Sequence, residues 1–350
     1  MFNLEDNQEK PMALMQDQQP ITAVNWSKEN SFVASVWTQQ WNQIWFPEEI
    51  AVSKDRKSWK DFNFKEVFKK VLAGLTLLDT VQTNVGMNRI AAYTKDNMLK
   101  ALFAVFDAFE AVHAKSYSYI FTTLCTQKEI DELFEWVKTN QQLQYKAQRI
   151  SQIYNDIKED DDISLYKGYV ASTFLESFLF YSGFFYPLYL GGQGILRNSS
   201  EVISLILRDE SLHGVTVGYE AQKLRATFSE DVQNEVDAWT YSLLMDLYDN
   251  EMDYTDMLYG ETGTGLSGSV KAYVRYNANK ALMNLGLEGV FPEEEINPIV
   301  LNGIRNDLTT YDFFSQKGTT YARATVEPIN KKTFDLSDMT DFEHLYVKRA

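Results

Sequence analysis

Glu110-Ala-Val-His113 and Glu210-Ser-Leu-His213 each set a carboxylate and an imidazole three residues apart. On a helix, positions i and i+3 share a face, so each pair can grip one metal ion. These two segments use two of the chain's three histidines. Tyr117 follows His113 by one turn, on the same face. A carboxylate-histidine metal site beside a tyrosine points to oxygen activation and radical chemistry.

A dinuclear centre needs further acids from other helices, and two stand out. Asp79 lies within LAGLTLLDTVQT and Glu176 within YVASTFLESFLFY. A charged carboxylate in such apolar surroundings is costly unless it is paired or bound to a metal. Asp79 precedes Glu110 by 31 residues and Glu176 precedes Glu210 by 34, a pseudo-repeat of two helix pairs. One carboxylate from each of two helices and Glu-x-x-His from two others is the ligand pattern of di-iron and di-manganese bundles. Hard oxygen donors with two imidazoles suit iron or manganese without separating them. Phe180 and Phe184 after Glu176, and Ile206 before Glu210, are expected to face the site. A dry pocket there would protect an oxidised Tyr117 phenol.

Long helices must position these groups. Apolar periodicity predicts helices over Phe64–Gly86, Asp96–Leu124, Glu129–Lys138, Gln141–Ile157, Ser164–Leu190, Ser200–Thr227, Glu230–Tyr259 and Lys271–Leu287. Asp96, Ser164 and Ser199 or Ser200 are the expected N-caps. No set of alternating strand patterns is present, so the fold class is all-α, a helical bundle. We divide the chain into a polar N-terminal segment (1–30), a helical domain (31–317) and a flexible C-terminal tail (318–350). Tyr321, Phe334, Phe342 and Tyr346 in that tail suit docking to a partner.

Hydrophobic residues are 45% of the 350 and prolines only 7, enough core and few helix breakers. A net charge of −16 argues against nucleic acid or an anionic membrane surface as partner. Tyr169 to Leu190 is long enough to span a bilayer, but Glu176 inside it favours a buried central helix and no membrane. The N-terminus lacks the basic start and apolar run of a signal peptide. The lone Cys125 excludes an intrachain disulfide and suits a reducing cytoplasm.

The segments LTLLDT, EAVHAKSYSYIF, FLESFLFYSGFF and LRDESLHG resemble the ribonucleotide reductase small subunit, most closely its class Ib type, from about Trp45 to Tyr321. The resemblance implies a ferritin-like bundle and a homodimer. It implies a dinuclear manganese or iron site held by Asp79, Glu110, His113, Glu176, Glu210 and His213, and a radical on Tyr117. It implies radical transfer through Trp45, Asp209, His113 and Tyr321 to a large catalytic subunit that reduces ribonucleotides. With manganese, a flavodoxin-like activator supplies the oxidant. The tail departs from the family pattern, since 29 residues follow Tyr321 and the chain closes on Lys348-Arg349-Ala350. Independently, Cys125 alone cannot provide the cysteine pair and thiyl that ribose reduction needs, so that chemistry falls to a partner. Two other readings use the same ligands: a two-electron oxidase acting without a partner, and a ferritin-like metal store. Neither calls for the combination of Trp45, Asp209 and Tyr321.

Overall fold

The computed structural model describes residues 23–26, 31–260 and 264–308. Nearly all of segment 1–30, and all of the 318–350 tail with Tyr321, lie outside that range. Thirteen α-helices are described: α1 Ser31–Asn42, α2 Arg56–Asp61, α3 Lys65–Val81, α4 Met87–Tyr93, α5 Asn97–Leu124, α6 Gln127–Thr139, α7 Gln141–Asn155, α8 Asp162–Phe174, α9 Tyr181–Gly192, α10 Arg197–Arg225, α11 Glu230–Thr255, α12 Ser267–Asn284 and α13 Pro298–Leu308. No strand occurs among the described residues, and the fold is a ferritin-like helical bundle.

The two longest helices carry the centre. On α5, Phe103, Phe106, Phe109, Glu110, His113, Tyr117, Ile120 and Leu124 are buried at three- and four-residue spacing. On α10, Ile203, Ile206, Glu210, His213, Val217 and Ala221 do the same. The stripe that buries apolar side chains therefore carries the ligands inward with it. Helix α3 lies against α5, α8 lies against α10, and α5 meets α10, the two pairs that the acid spacing implies. Each fully buried Leu, Ile or Phe contributes about 1.5–3 kcal/mol, a reserve that tolerates several buried carboxylates.

Among the described residues, two five-residue π segments interrupt the helical runs, Gln82–Gly86 and Leu175–Leu179, and a third, Asp256–Gly260, follows the end of α11. The single helix expected over Ser164–Leu190 is thus an α–π–α run, with Glu176 inside the π segment. No helix among the described residues is long and apolar enough to cross a membrane.

Caps follow the expectation in one of three places. Asp96 accepts from the amides of Met98 (2.8 Å) and Leu99 (3.2 Å). Asp161, not Ser164, caps α8 through the Ile163 and Ser164 amides. Neither Ser199 nor Ser200 caps α10, which starts three residues earlier, after Leu196 in a left-handed conformation (φ 48°). The buried Asp55 carboxylate, distant in sequence, instead accepts from the Asn198 and Ser199 amides and the Ser199 hydroxyl.

Candidate metal centre

All six sequence-selected ligands converge. Asp79 comes from α3, Glu110 and His113 from α5, Glu176 from the π segment after α8, and Glu210 and His213 from α10; all six are fully buried. Their ligand atoms form two quartets, each within 4.8 Å: Asp79, Glu110, His113 and Glu210; and Glu110, Glu176, Glu210 and His213. Glu110 and Glu210 belong to both, the arrangement that two bridged ions require. Glu176 reaches the centre because Gly214, one residue past His213, leaves room for the segment that carries it. A Cβ at Gly214 would overlap Ser177 Oγ.

Both imidazoles turn Nδ1 toward the acids. His113 Nδ1 lies 2.8 Å from Glu210 Oε1 and 3.7 Å from Asp79 Oδ1. His213 Nδ1 lies 2.8 Å from Glu110 Oε1 and 3.6 Å from Glu210 Oε2. The two rings are stacked with centroids 6.0 Å apart, and Phe106 packs on His213 at 4.1 Å.

The residues fit a pair of divalent cations. Both oxygens of Asp79 and of Glu210, Glu110 Oε2 and Glu176 Oε2 are buried without a hydrogen-bond partner, which a folded chain seldom tolerates. Four carboxylates carry a formal charge that two divalent ions neutralise. The donors are oxygen and imidazole nitrogen only, the set that suits manganese or iron.

Electrostatics agree. Burial, reinforced by the Glu110 and Glu210 charges, holds the Asp79 carboxyl well above the usual range. Burial does the same to Glu176, again with those two charges. For Glu110 burial acts in the same direction, but hydrogen bonds and charge from His113 and His213 outweigh it and bring the pKa down to about 2. Burial disfavours charged imidazoles, yet the surrounding carboxylates win: His113 is raised well above its ordinary value, and His213 is raised to about 10.

Tyr117 is fully buried one turn beyond His113. Burial first, then the Asp79 and Glu210 charges, push its phenol well above the ordinary value. Its hydroxyl makes no well-formed hydrogen bond, although Asp79 is close enough to influence it. Phe180, Phe184 and Ile206 are fully buried, and the two phenyl rings pack 5.6 Å apart.

On the far side of His113, Asp209 Oδ2 lies 3.3 Å from Nε2 and accepts from Trp45 Nε1 at 2.8 Å. Trp45 is buried and stacks on the His113 ring at 6.3 Å. Burial would raise the Asp209 carboxyl, but the Arg208 charge and the bonds from His113 and Trp45 hold it below the usual range. Sequence reasoning missed Arg208, whose Nη2 also donates to the Gln43 carbonyl (2.7 Å). It also missed Gln82, Ser172 and Tyr154, which surround Glu176. Helical spacing carried a signal for two of them, since Gln82 is three residues after Asp79 and Ser172 four before Glu176.

The family model "Ribonucleotide reductase, small chain" matches residues 23–298. A "Ribonucleoside-diphosphate reductase subunit beta" of Bacillus subtilis (strain 168) is 51% identical over 320 residues, 90% of this chain and 97% of that protein. The protein of the same name from Bacillus phage SPbeta is 50% identical over 316 residues, 89% of this chain and 95% of the phage protein. The solved structure of Streptococcus sanguinis dimanganese(II)-NrdF matches with a TM-score of 0.78 and 43% identity, over 81% of this chain and 100% of that one.

Proposed function

The chain belongs to the ribonucleotide reductase small-chain family, the radical-generating subunit of that enzyme, and from that membership we propose residue roles for its buried centre. Asp79, Glu110, His113, Glu176, Glu210 and His213 hold two manganese or iron ions, with Glu110 and Glu210 shared. When bound and oxidised, the ions supply the one-electron oxidising power that Tyr117 answers. Tyr117 would give up an electron to the oxidised ions and its hydroxyl proton to the carboxyl of Asp79, the acid beside it, and so store a tyrosyl radical. Phe180, Phe184 and Ile206 keep water from the phenol.

The observation that carries this reading is a fully buried phenol, without a well-formed hydrogen bond, one turn from the two ligand quartets. A metal store has no use for such a group, and an oxidase acting alone has no use for the Trp45–Asp209–His113 chain beside it.

Members of the family are homodimers and work with a large subunit. Here Trp45, Asp209 and His113 form the inner part of the radical's exit, and Tyr321 in the 318–350 tail continues it to that partner. With manganese, a flavodoxin-like protein supplies the oxidant; with iron, dioxygen suffices. The location is the cytoplasm, in keeping with the single free Cys125.

Electron paramagnetic resonance on protein loaded with iron under oxygen, or with manganese and a flavodoxin-like activator, tests the reading. A tyrosyl signal in the unaltered chain and none in Tyr117→Phe is the expected result. Absence of a tyrosyl signal under both regimes, or its persistence in Tyr117→Phe, overturns it.

A further inference from the structure

Glu176 differs from the other acids of the centre in having one oxygen held by neutral side chains from outside the ligand set, whereas the occupied oxygen of Glu110 faces His213. Gln82 Nε2 donates to Glu176 Oε1 and also to Ser172 Oγ (2.9 Å). The Ser172 hydroxyl donates to the same Glu176 Oε1 at 3.1 Å. Tyr154 OH donates to Gln82 Oε1 at 2.6 Å. All four side chains are fully buried.

The pattern leaves little freedom. With Gln82 Oε1 engaged by a hydroxyl donor, the carboxamide must turn its NH2 toward Ser172 and Glu176, and both of its hydrogens find acceptors. Oε1 of Glu176 then accepts twice, while Oε2 has no partner, and Glu176 contributes one oxygen to the quartet that contains His213. Asp79 has no comparable holder, and both its oxygens are free. The backbone supports the same arrangement. Gln82 opens one π segment and Glu176 lies in another. Gly86, at the end of the first, has no Cβ because one would overlap Gln82 Oε1 and the Tyr154 ring. Helix insertions of this kind are frequent at functional sites.

We propose that Tyr154, Gln82 and Ser172 form a positioning brace that occupies Glu176 Oε1 and leaves Oε2 alone for the ion on the His213 side. These are positioning residues, acting through Glu176. The inference rests on the metal-centre reading. Its consequence is asymmetric: the ion beside His213 depends on the brace, and the ion beside His113 does not.

Manganese(II) titration of the full chain, followed by calorimetry and elemental analysis, tests it with no need for turnover. Wild type is expected to take up two ions per chain. Gln82→Leu should weaken one position by about 10–100-fold, the usual cost of losing a group that orients a ligand, and leave the other within about twofold. Tyr154→Phe, which removes one oxygen and keeps the ring, should weaken the same position to a smaller degree with unchanged circular dichroism. It also carries the test if Gln82→Leu does not fold. Two wild-type-like affinities in the folded variants, or equal weakening at both positions, would overturn the brace while the metal-centre reading stands. Failure of wild type to bind manganese or iron would overturn the metal-centre reading itself.

Discussion

Trp45 and His113 lie against the same carboxylate oxygen: Asp209 Oδ2 is 2.8 Å from the indole nitrogen and 3.3 Å from His113 Nε2. The opposite nitrogen of that imidazole faces Glu210 and Asp79. Three residues far apart in sequence thus form one buried path from the metal quartet to the base of α1. Arg208 grips the other Asp209 oxygen at 3.1 Å and 3.2 Å, so the carboxylate cannot swing away from either neighbour.

Trp45→Phe keeps the ring and deletes the hydrogen bond. It should leave metal content and the Tyr117 radical intact, and lower thermal stability by about 1–3 kcal/mol through the donor lost to Asp209. Ribonucleotide reduction with the large subunit should fall to background. Turnover equal to wild type in a variant with full radical content would remove Trp45 from the path.

As a proposed metal ligand, Glu176 would trade stability for ligation. Burial, with Glu110 and Glu210 nearby, raises its carboxyl far above the ordinary value. An acid whose folded pKa is raised costs nothing below its unfolded pKa and an increasing amount as pH climbs toward the folded one. Glu176→Gln should therefore make the metal-free chain more stable at pH 8, by on the order of 1–4 kcal/mol, with a smaller gain near pH 5. The same variant should lose the part of the manganese-derived stability that the ion beside His213 supplies, and keep the part from the ion beside His113. Thermal unfolding at both pH values, with and without metal, measures all four quantities; a metal-free variant less stable than wild type at pH 8 contradicts the account.

Metal loading should expel protons. The carboxylates around His213 raise its pKa to about 10, and those around His113 raise that group as well, despite burial. The charge on His213 stabilises the metal-free chain fully below the unfolded histidine pKa, and that contribution fades as pH rises toward about 10. Ligation needs neutral imidazole, so at pH 7 an ion must displace protons from the site. Manganese affinity should rise between pH 6 and pH 8. Titration calorimetry in two buffers of different ionisation enthalpy should report release of at least about one proton per chain. Identical enthalpies in the two buffers would contradict protonated histidines.

The ligand set was legible because charge inside an apolar helix is conspicuous. Asp79 and Glu176 interrupt hydrophobic runs, and Glu-x-x-His places two donors on one face. Gln82, Ser172 and Tyr154 raise no such flag, since neutral polar side chains are cheaper to bury and common in cores. The π segment at Leu175–Leu179 was hidden for a different reason. All five of its residues are buried, so a change in residues per turn leaves no mark on the hydrophobic pattern. The α10 start departs from the local pattern because its acceptor, Asp55, comes from far along the chain, and local cap rules see only neighbours.

A second buried charge cluster lies away from the metal ligands and has a structural role. Lys146 of α7 pairs with Glu251 of α11, both fully buried, and Ser182 Oγ of α9 donates to the other Glu251 oxygen at 2.7 Å. Lys146 Nζ also sits 3.9 Å from the centre of the Tyr254 ring. Removing one member of a buried pair strands the other, at a cost of about 3–5 kcal/mol, whereas replacing both by apolar side chains of similar volume is often neutral. Lys146→Met alone should therefore destabilise strongly, and Lys146→Met with Glu251→Met should recover most of the loss. The Ser182 hydroxyl can turn to its own helix carbonyl in the double variant. Denaturant unfolding of both single variants and the double variant closes the cycle. Additive effects would mean that the pair contributes no coupling and that α7, α9 and α11 are held by apolar packing alone. Because α7 also carries Tyr154, the single variant should in addition weaken manganese binding on the His213 side, and the double variant should restore it.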